Sequence, residues 1–237
     1  MSIPPIERHA LGPEPDFPRA QLAPADLPGQ HTVAELVPSG YAHYLRVFHP
    51  FLPADPNDPD STLPGPPRSW QSLAEEAGVV FHPELQWRSL LEVLGGPDGP
   101  RPYWVSEGRL DEPVRSALFQ LLAPRGDFDA YFLYYTGALV RGTSPLLYRA
   151  SITLYREVQD VANQDLGGVD DLQPGPEFVW PADRSWVVNT DYDLDSTYVA
   201  CDEDVAEAIL ADPTLEALPV SRDTRVDKGA DRTNQAR

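Results

Sequence analysis

Cysteine occurs once in the 237 residues, at Cys201, which excludes an internal disulfide framework and a cysteine-rich zinc site. Lysine also occurs once, at Lys228, beside 27 prolines, a usage that fits a GC-rich coding sequence. No apolar run nears the roughly 20 residues of a membrane-spanning helix. The first residues, MSIPPIERHALGPEPDFPRA, have no basic start followed by an apolar stretch, so no secretion signal is expected. The chain holds no G-x-S-x-G, HExxH or GxGxxG pattern and no glycine loop of the kind that cradles phosphate. The expectation is a soluble cytoplasmic protein with no cofactor, and no catalytic residue is nominated.

What is abundant is negative charge. The formal net charge is −19, and Glu157 to Glu216 carries 16 acidic residues against one basic residue, Arg184. From Ser221 onward Arg222, Arg225, Lys228, Arg232 and Arg237 reverse the balance against Asp223, Asp227 and Asp231. Such a field repels nucleic-acid phosphates and anionic membranes and steers basic partners toward the C-terminal half. The charge therefore reads either as a solubility device or as an acidic face for a basic protein partner. Nucleic acid and membrane are excluded as partners, and the oligomeric state is open. An apolar fraction of 41% supplies enough side chains for a core.

Residues 1–30 hold seven prolines and read as an extended or disordered leader. Residues 31–220 read as one α+β domain, and 53–67, PADPNDPDSTLPGPP, as a surface loop within it. Residues 221–237 have little apolar content and read as a mobile polar tail. Within the domain, alternation and aromatic content in YAHYLRVFHPF favour a strand, with a helix over Tyr41 to Val47 as the alternative. SWQSLAEEAG predicts a helix capped by Ser69 and stopped at Gly78, and HPELQWRSLLEVLGG a second with Pro83 in its first turn. LDEPVRSALFQLLAP predicts a third, capped by Asp111. DAYFLYYTGAL and LLYRASITLYREV read as strands, continued by PEFVWPADRSWVVNTD and STYVACD. DEDVAEAILADP predicts a last helix with Val205, Ile209 and Leu210 facing the sheet, and LEALPV a final strand. The fold class is α+β: short N-terminal helices, then a mainly antiparallel sheet and a C-terminal helix.

The segment WVVNTDYDLDSTYV places Asp191, Asp193 and Asp195 at alternate positions in what reads as a hairpin. Their spacing resembles the start of a calcium loop, yet Ser196 stands where that loop needs glycine and Asp202 where it needs glutamate. Turn chemistry and solvation explain them better, so no metal is expected. Asp183 and Arg184 read as a pair bracing Trp180 and Trp186. His43 and His49, six apart on a strand, would lie about 20 Å apart, too far to share a metal. Cys201 is followed by acidic residues that disfavour a thiolate, so it reads as structural.

The segment from Phe178 to Val220 resembles the C-terminal half of an uncharacterised family of proteins from high-GC bacteria. The resemblance is carried by Trp180, Pro181, Asp183, Arg184 and Trp186, by Thr197-Tyr198-Val199, by Asp212-Pro213, and by the run Leu215 to Val220. It implies no activity, since that family has none established. The order of elements is also similar to that of toxin-neutralising immunity proteins. The expected function is non-catalytic binding of a basic protein partner, in an immunity- or antitoxin-like role, through Asp191, Asp193, Asp195, Asp183, Arg184, Trp186 and Tyr198. The alternatives are a metal-assisted hydrolase built on the three aspartates and a self-associating scaffold.

Overall fold

Along HYLRVF, Leu45 and Val47 alternate with Tyr44, Arg46 and Phe48, the period-two pattern of a strand with two covered faces. The computed structural model describes residues 6–11, 17–22, 31–55, 58–62, 65–95, 102–123, 129–135, 138–139, 142–167 and 175–234. In chain order the elements are β1 (Glu7–His9), β2 (His43–Phe48), β3 (Phe51–Asp55), β4 (Asp58–Thr62), α1 (Trp70–Ala77), α2 (Trp87–Gly95), β5 (Tyr103–Val105), α3 (Val114–Leu122), β6 (Asp129–Tyr134), β7 (Leu146–Ser151), α4 (Tyr155–Asp165), β8 (Phe178–Pro181), β9 (Val187–Asn189), β10 (Ser196–Cys201), α5 (Glu203–Ala211) and β11 (Ala217–Pro219).

Eight strands form one sheet in the order β1-β7-β6-β8-β9-β10-β2-β11, and every pairing in it is antiparallel. The fold is α+β. On one face Leu45, Val47, Phe132, Tyr148, Val188 and Val199 pack against α3, α4 and α5 through Leu118, Phe119, Val158 and Ile209. The other face carries two smaller clusters, one around Trp180 and Phe178, the other around Tyr198, Val33 and Val37. A three-stranded sheet, β4-β3-β5, joins α1 and α2 in a further cluster centred on Phe48, Phe51, Trp70 and Leu85.

The caps of α1 follow the sequence reading, and α5 has one that it did not name. Ser69 accepts a hydrogen bond from the Ser72 N–H and Gly78 ends α1 in the left-handed region; Asp202 accepts from the Val205 N–H. Elsewhere the structure corrects it. The second helix begins at Trp87, after a turn that holds Pro83. Asp111 does not cap α3; it takes the Ser106 hydroxyl and the Arg109 guanidinium, and Glu112 accepts from the Ser116 N–H instead. The strand read through Ile152 and Leu154 stops at Ser151, whose hydroxyl accepts from the Thr153 N–H and starts a short helical turn leading into α4. Leu210 is 44% exposed, and Ala206 with Ile209 forms the buried side of α5. Residues 53–67, expected as a loop, contribute to β3 and supply β4. In the leader, Glu7–His9 is an edge strand on β7; residues 1–5, 12–16 and 23–30 lie outside the described residues.

Residues 221–234 are also not the loose tail their composition predicts. Val226 and Ala230 are buried, the Val226 N–H donates to the His31 carbonyl, and Asp231 is 1% exposed. The Asp231 carboxylate accepts from the Asn234 backbone and side chain and meets His82 Nε2 at 3.0 Å. Burial pushes its pKa up, but hydrogen bonds from the Ser89 side chain, Asn234 and His82 outweigh this and hold it below the ordinary carboxylate value. Replacing the Asp202 cap with alanine is expected to cost about 1 kcal/mol. Urea denaturation checks it: a shifted midpoint with unchanged slope is expected, and an unmoved midpoint would mean the cap carries no load.

Candidate functional site

The three alternating aspartates follow β9 in a loop that leads into β10, and the structure gives each a different role. Asp191 Oδ1 accepts from the Asp193 N–H at 3.0 Å, a local turn bond of the kind aspartate commonly makes. Burial pushes the Asp191 carboxyl up from its usual value. Asp193 is exposed. Asp195 is 6% exposed and places Oδ1 3.0 Å from Arg46 Nη2 and 3.0 Å from the Ser196 hydroxyl. The loop is pinned by Gly108, whose N–H donates to the Leu194 carbonyl. Gly108 has φ +67°, and a Cβ there would stand 2.6 Å from Tyr192 Cα, so this approach needs glycine.

Arg46 is the residue that organises this end of the sheet. It is 1% exposed on β2, opposite Tyr198 of β10. Its Nε donates to Ser196 Oγ at 2.8 Å, and Nη1 donates to the carbonyls of Pro83 and Leu85, both at 2.8 Å. The guanidinium lies 4.2 Å from the Phe48 ring centre and 5.3 Å from that of Trp70. A buried charge is tolerated only when paired and hydrogen-bonded, and here the partners come from β10, the acidic loop and the α1–α2 connection. Arg46 sits between apolar residues in its strand, the one local sign of its role.

A second buried group lies next to it. His49 Nδ1 is 2.6 Å from the Ser106 carbonyl, and Nε2 is 2.9 Å from Thr197 Oγ1, which in turn meets Thr190 Oγ1 at 2.9 Å. A carbonyl only accepts, so Nδ1 carries the proton and Nε2 accepts from Thr197. Desolvation lowers the His49 pKa, which keeps the ring neutral.

Beside the acidic loop opens a cleft of about 1010 Å³. Asp191, Asp193 and Asp195 line it, with Glu35, Glu107 and Asp227 from other segments. Leu36, Trp87, Leu194 and Val226 supply apolar surface, and Gln86 a buried amide. Arg19, Arg88 and Lys228 are the cations of its lining among the described residues. Arg19 stacks 3.2 Å above the Tyr135 ring centre, and Arg88 lies 5.3 Å from that of Trp87. Asp227 accepts from two of the Arg225 guanidinium nitrogens, Nε at 2.9 Å and Nη2 at 2.7 Å.

The other nominated residues lie elsewhere. Asp183 and Arg184 occupy the β8–β9 turn, at the opposite end of β9 from the acidic loop. Asp183 Oδ1 accepts from the N–H and hydroxyl of Ser185. Arg184 has φ +58° and lies 4.4 Å from the Phe17 ring centre, while its carbonyl accepts from the Tyr41 hydroxyl at 2.8 Å. Trp186 and Tyr198 are core residues, 2% exposed each. The seven candidates therefore do not form one site: three line the cleft, two build a distant turn and two fill the core. Cys201 is buried in the main cluster, and desolvation lifts its thiol pKa to about 12. Among the described residues no group of three or more His, Cys, Asp or Glu side chains is placed to hold a metal ion, and no helix is long and apolar enough to cross a membrane. Sequence reasoning missed Arg46, Gln86, Trp87, Glu35 and Glu107, which reach the site from distant segments. Neither a family model, nor a curated protein, nor a solved structure matches the chain.

Two expectations follow from this geometry. Arg46→Met leaves Asp195 without its cation and the Pro83 and Leu85 carbonyls without their donor, so it costs about 3–5 kcal/mol of unfolding free energy. The double variant Arg46→Met/Asp195→Leu recovers part of that loss, because the unpaired charge is gone; a double variant no better than the single would contradict this account. The His49 ring, followed by nitrogen NMR, stays neutral with Nδ1 protonated as pH falls through about 6.5, where a free imidazole gains its proton. The unfolded chain binds that proton and the native one does not, so stability declines as pH drops below this value toward the lowered native pKa.

Proposed function

We propose that the protein is a non-catalytic cytoplasmic binding protein whose cleft takes up a basic, extended segment of a partner protein. The observation that carries this reading is the composition of the cleft. Glu35, Glu107, Asp191, Asp193, Asp195 and Asp227 line it beside Leu36, Trp87, Leu194 and Val226 and outnumber the cations Arg19, Arg88 and Lys228, within a chain of net charge −19. Apolar surface provides the contact area, and the acids favour a cationic segment and speed its encounter. Neutralisation of a toxin is one form of this role, in keeping with the acidic charge.

The test is calorimetric titration with an unstructured peptide of mixed arginine, lysine and glycine. Affinity is expected to fall steeply between about 0.05 and 0.5 M salt, as screening shortens the reach of the acidic charges. Asp193→Asn is expected to weaken binding by roughly two- to fivefold, the range for an exposed ion pair, with an unchanged circular-dichroism spectrum. Binding indifferent to both salt and this substitution would overturn the reading.

A further inference from the structure

Residues 221–234 supply part of the cleft lining, through Val226, Asp227 and Lys228, yet belong to no helix and no strand. An isolated antiparallel bridge pairs Arg225 with Thr32. Backbone bonds lay the segment against residues 31–34. The Val33 N–H donates to the Thr224 carbonyl, the Ala34 N–H to that of Arg222 and the Val226 N–H to that of His31, each at 3.0 Å. Further bonds reach the α1–α2 connection. The Arg225 N–H donates to Glu84 Oε1 at 2.9 Å, the Val80 N–H to Asn234 Oδ1 at 2.9 Å, and Asn234 Nδ2 to the Val80 carbonyl at 3.1 Å. The buried residues of the segment are Val226, Ala230 and Asp231, whereas β10 buries every one of its residues. Val226 belongs to the small cluster around Tyr198, and the main cluster has no member from 221–234. Few buried apolar groups and many polar ties mark a part of a protein that opens at a lower free energy than the whole.

Asp231 is where the polar ties meet. It is 1% exposed, and its Oδ1 accepts from the Asn234 N–H at 3.0 Å. Asn234 Nδ2 reaches Oδ1 at 3.2 Å and Oδ2 at 3.0 Å, and the Ser89 side chain of α2 donates as well. The Glu84 N–H donates to His82 Nδ1 at 3.3 Å. A backbone N–H only donates, so Nε2 carries the proton of neutral His82 and donates it to Asp231 Oδ1 at 3.0 Å. One buried carboxylate thus joins the segment both to the α1–α2 connection and to α2. Without it, these donors lose their shared acceptor.

We propose that residues 221–234 are a strap that opens as a unit while the eight-stranded sheet stays folded, with Asp231 as its catch. Opening takes Val226, Asp227 and Lys228 off the cleft wall, so the strap controls access to the cleft. The inference is independent of what the cleft takes up, because it rests on how this wall is fastened. The sheet keeps its own support in the open state, since the cluster of Leu45, Val47, Phe132 and Val199 needs nothing from the strap.

The test is hydrogen exchange, read by mass spectrometry, on the full chain at neutral pH over a series of low urea concentrations. Peptides covering Val33, Ala34 and Val226 are expected to exchange about tenfold faster than those of β6 and β10. Their rate should respond weakly to urea, because opening the strap exposes little surface. Asp231→Asn, which keeps the shape and loses the charge, is expected to speed the strap amides about tenfold and leave β6 and β10 unchanged. Equal rates in strap and sheet, or an acceleration shared by both, overturns the strap. The wild-type comparison decides alone if Asp231→Asn does not fold. The cleft wall is read separately with Val226→Cys, whose thiol is expected to react with a thiol reagent faster by a similar factor once Asp231→Asn is added. The buried Cys201 stays protected in both. A thiol rate indifferent to Asp231→Asn despite faster amides overturns the control of cleft access.

Discussion

A guanidinium without water fixes the geometry of this protein. Removing a charge from solvent costs several kcal/mol unless every donor finds an acceptor, and Arg46 finds its acceptors on three separate segments. The acidic loop, the start of β10 and the α1–α2 connection are thereby set relative to one another. Phe48 and Trp70 close over the guanidinium and make it part of the apolar cluster of the small sheet. The two sheets thus meet through a polar residue whose neighbours on either side are core. The position of the cleft follows, because its wall is the outer side of the same network.

Further polar ties between distant segments reinforce this arrangement. The Glu216 carboxylate accepts from the N–H groups of Trp70 and Gln71 at 2.6 and 2.7 Å, so a residue just before β11 satisfies the open first turn of α1. Glu84 accepts from the Arg225 N–H, and His82 meets Asp231, which fastens residues 221–234 to the α1–α2 connection. The Trp70 indole N–H donates to the His49 carbonyl at 2.7 Å. Each tie spends a buried or half-buried polar group on position rather than on chemistry. Two carboxylates of the cleft lining, Asp195 and Asp227, are themselves members of such ties.

Much of the fold was legible in the sequence because local rules decide it. Alternation pointed to β2 and β7, aromatic and β-branched residues pointed to β6, and the capping serine with its terminal glycine pointed to α1. The helix α4 was illegible because Ile152, Thr153 and Tyr155 carry strand propensity, and a single hydroxyl bond at Ser151 redirects the chain. Residues 221–234 were illegible because their anchors are Val226, Ala230 and a buried carboxylate, too few to register as periodicity. The candidate site was half legible. The acidic loop stood out by composition, but whether Asp195 faces water or Arg46 depends on a residue 149 positions away, and nothing local to the loop encodes it. Trp186 and Tyr198 were nominated for an aromatic character that the core uses entirely.

The place of β2 in the sheet has a consequence for the order of assembly. This strand comes early in the chain, yet both of its neighbours, β10 and β11, come from its far end. Until residues 196–219 exist, β2 has unpaired N–H and C=O groups along both edges and Arg46 lacks Asp195 and Ser196. The buried Arg46 guanidinium therefore lacks these two partners until the chain reaches Ser196. Such non-local closure slows folding, and the cleft beside the acidic loop is among the last parts of the molecule to come into being.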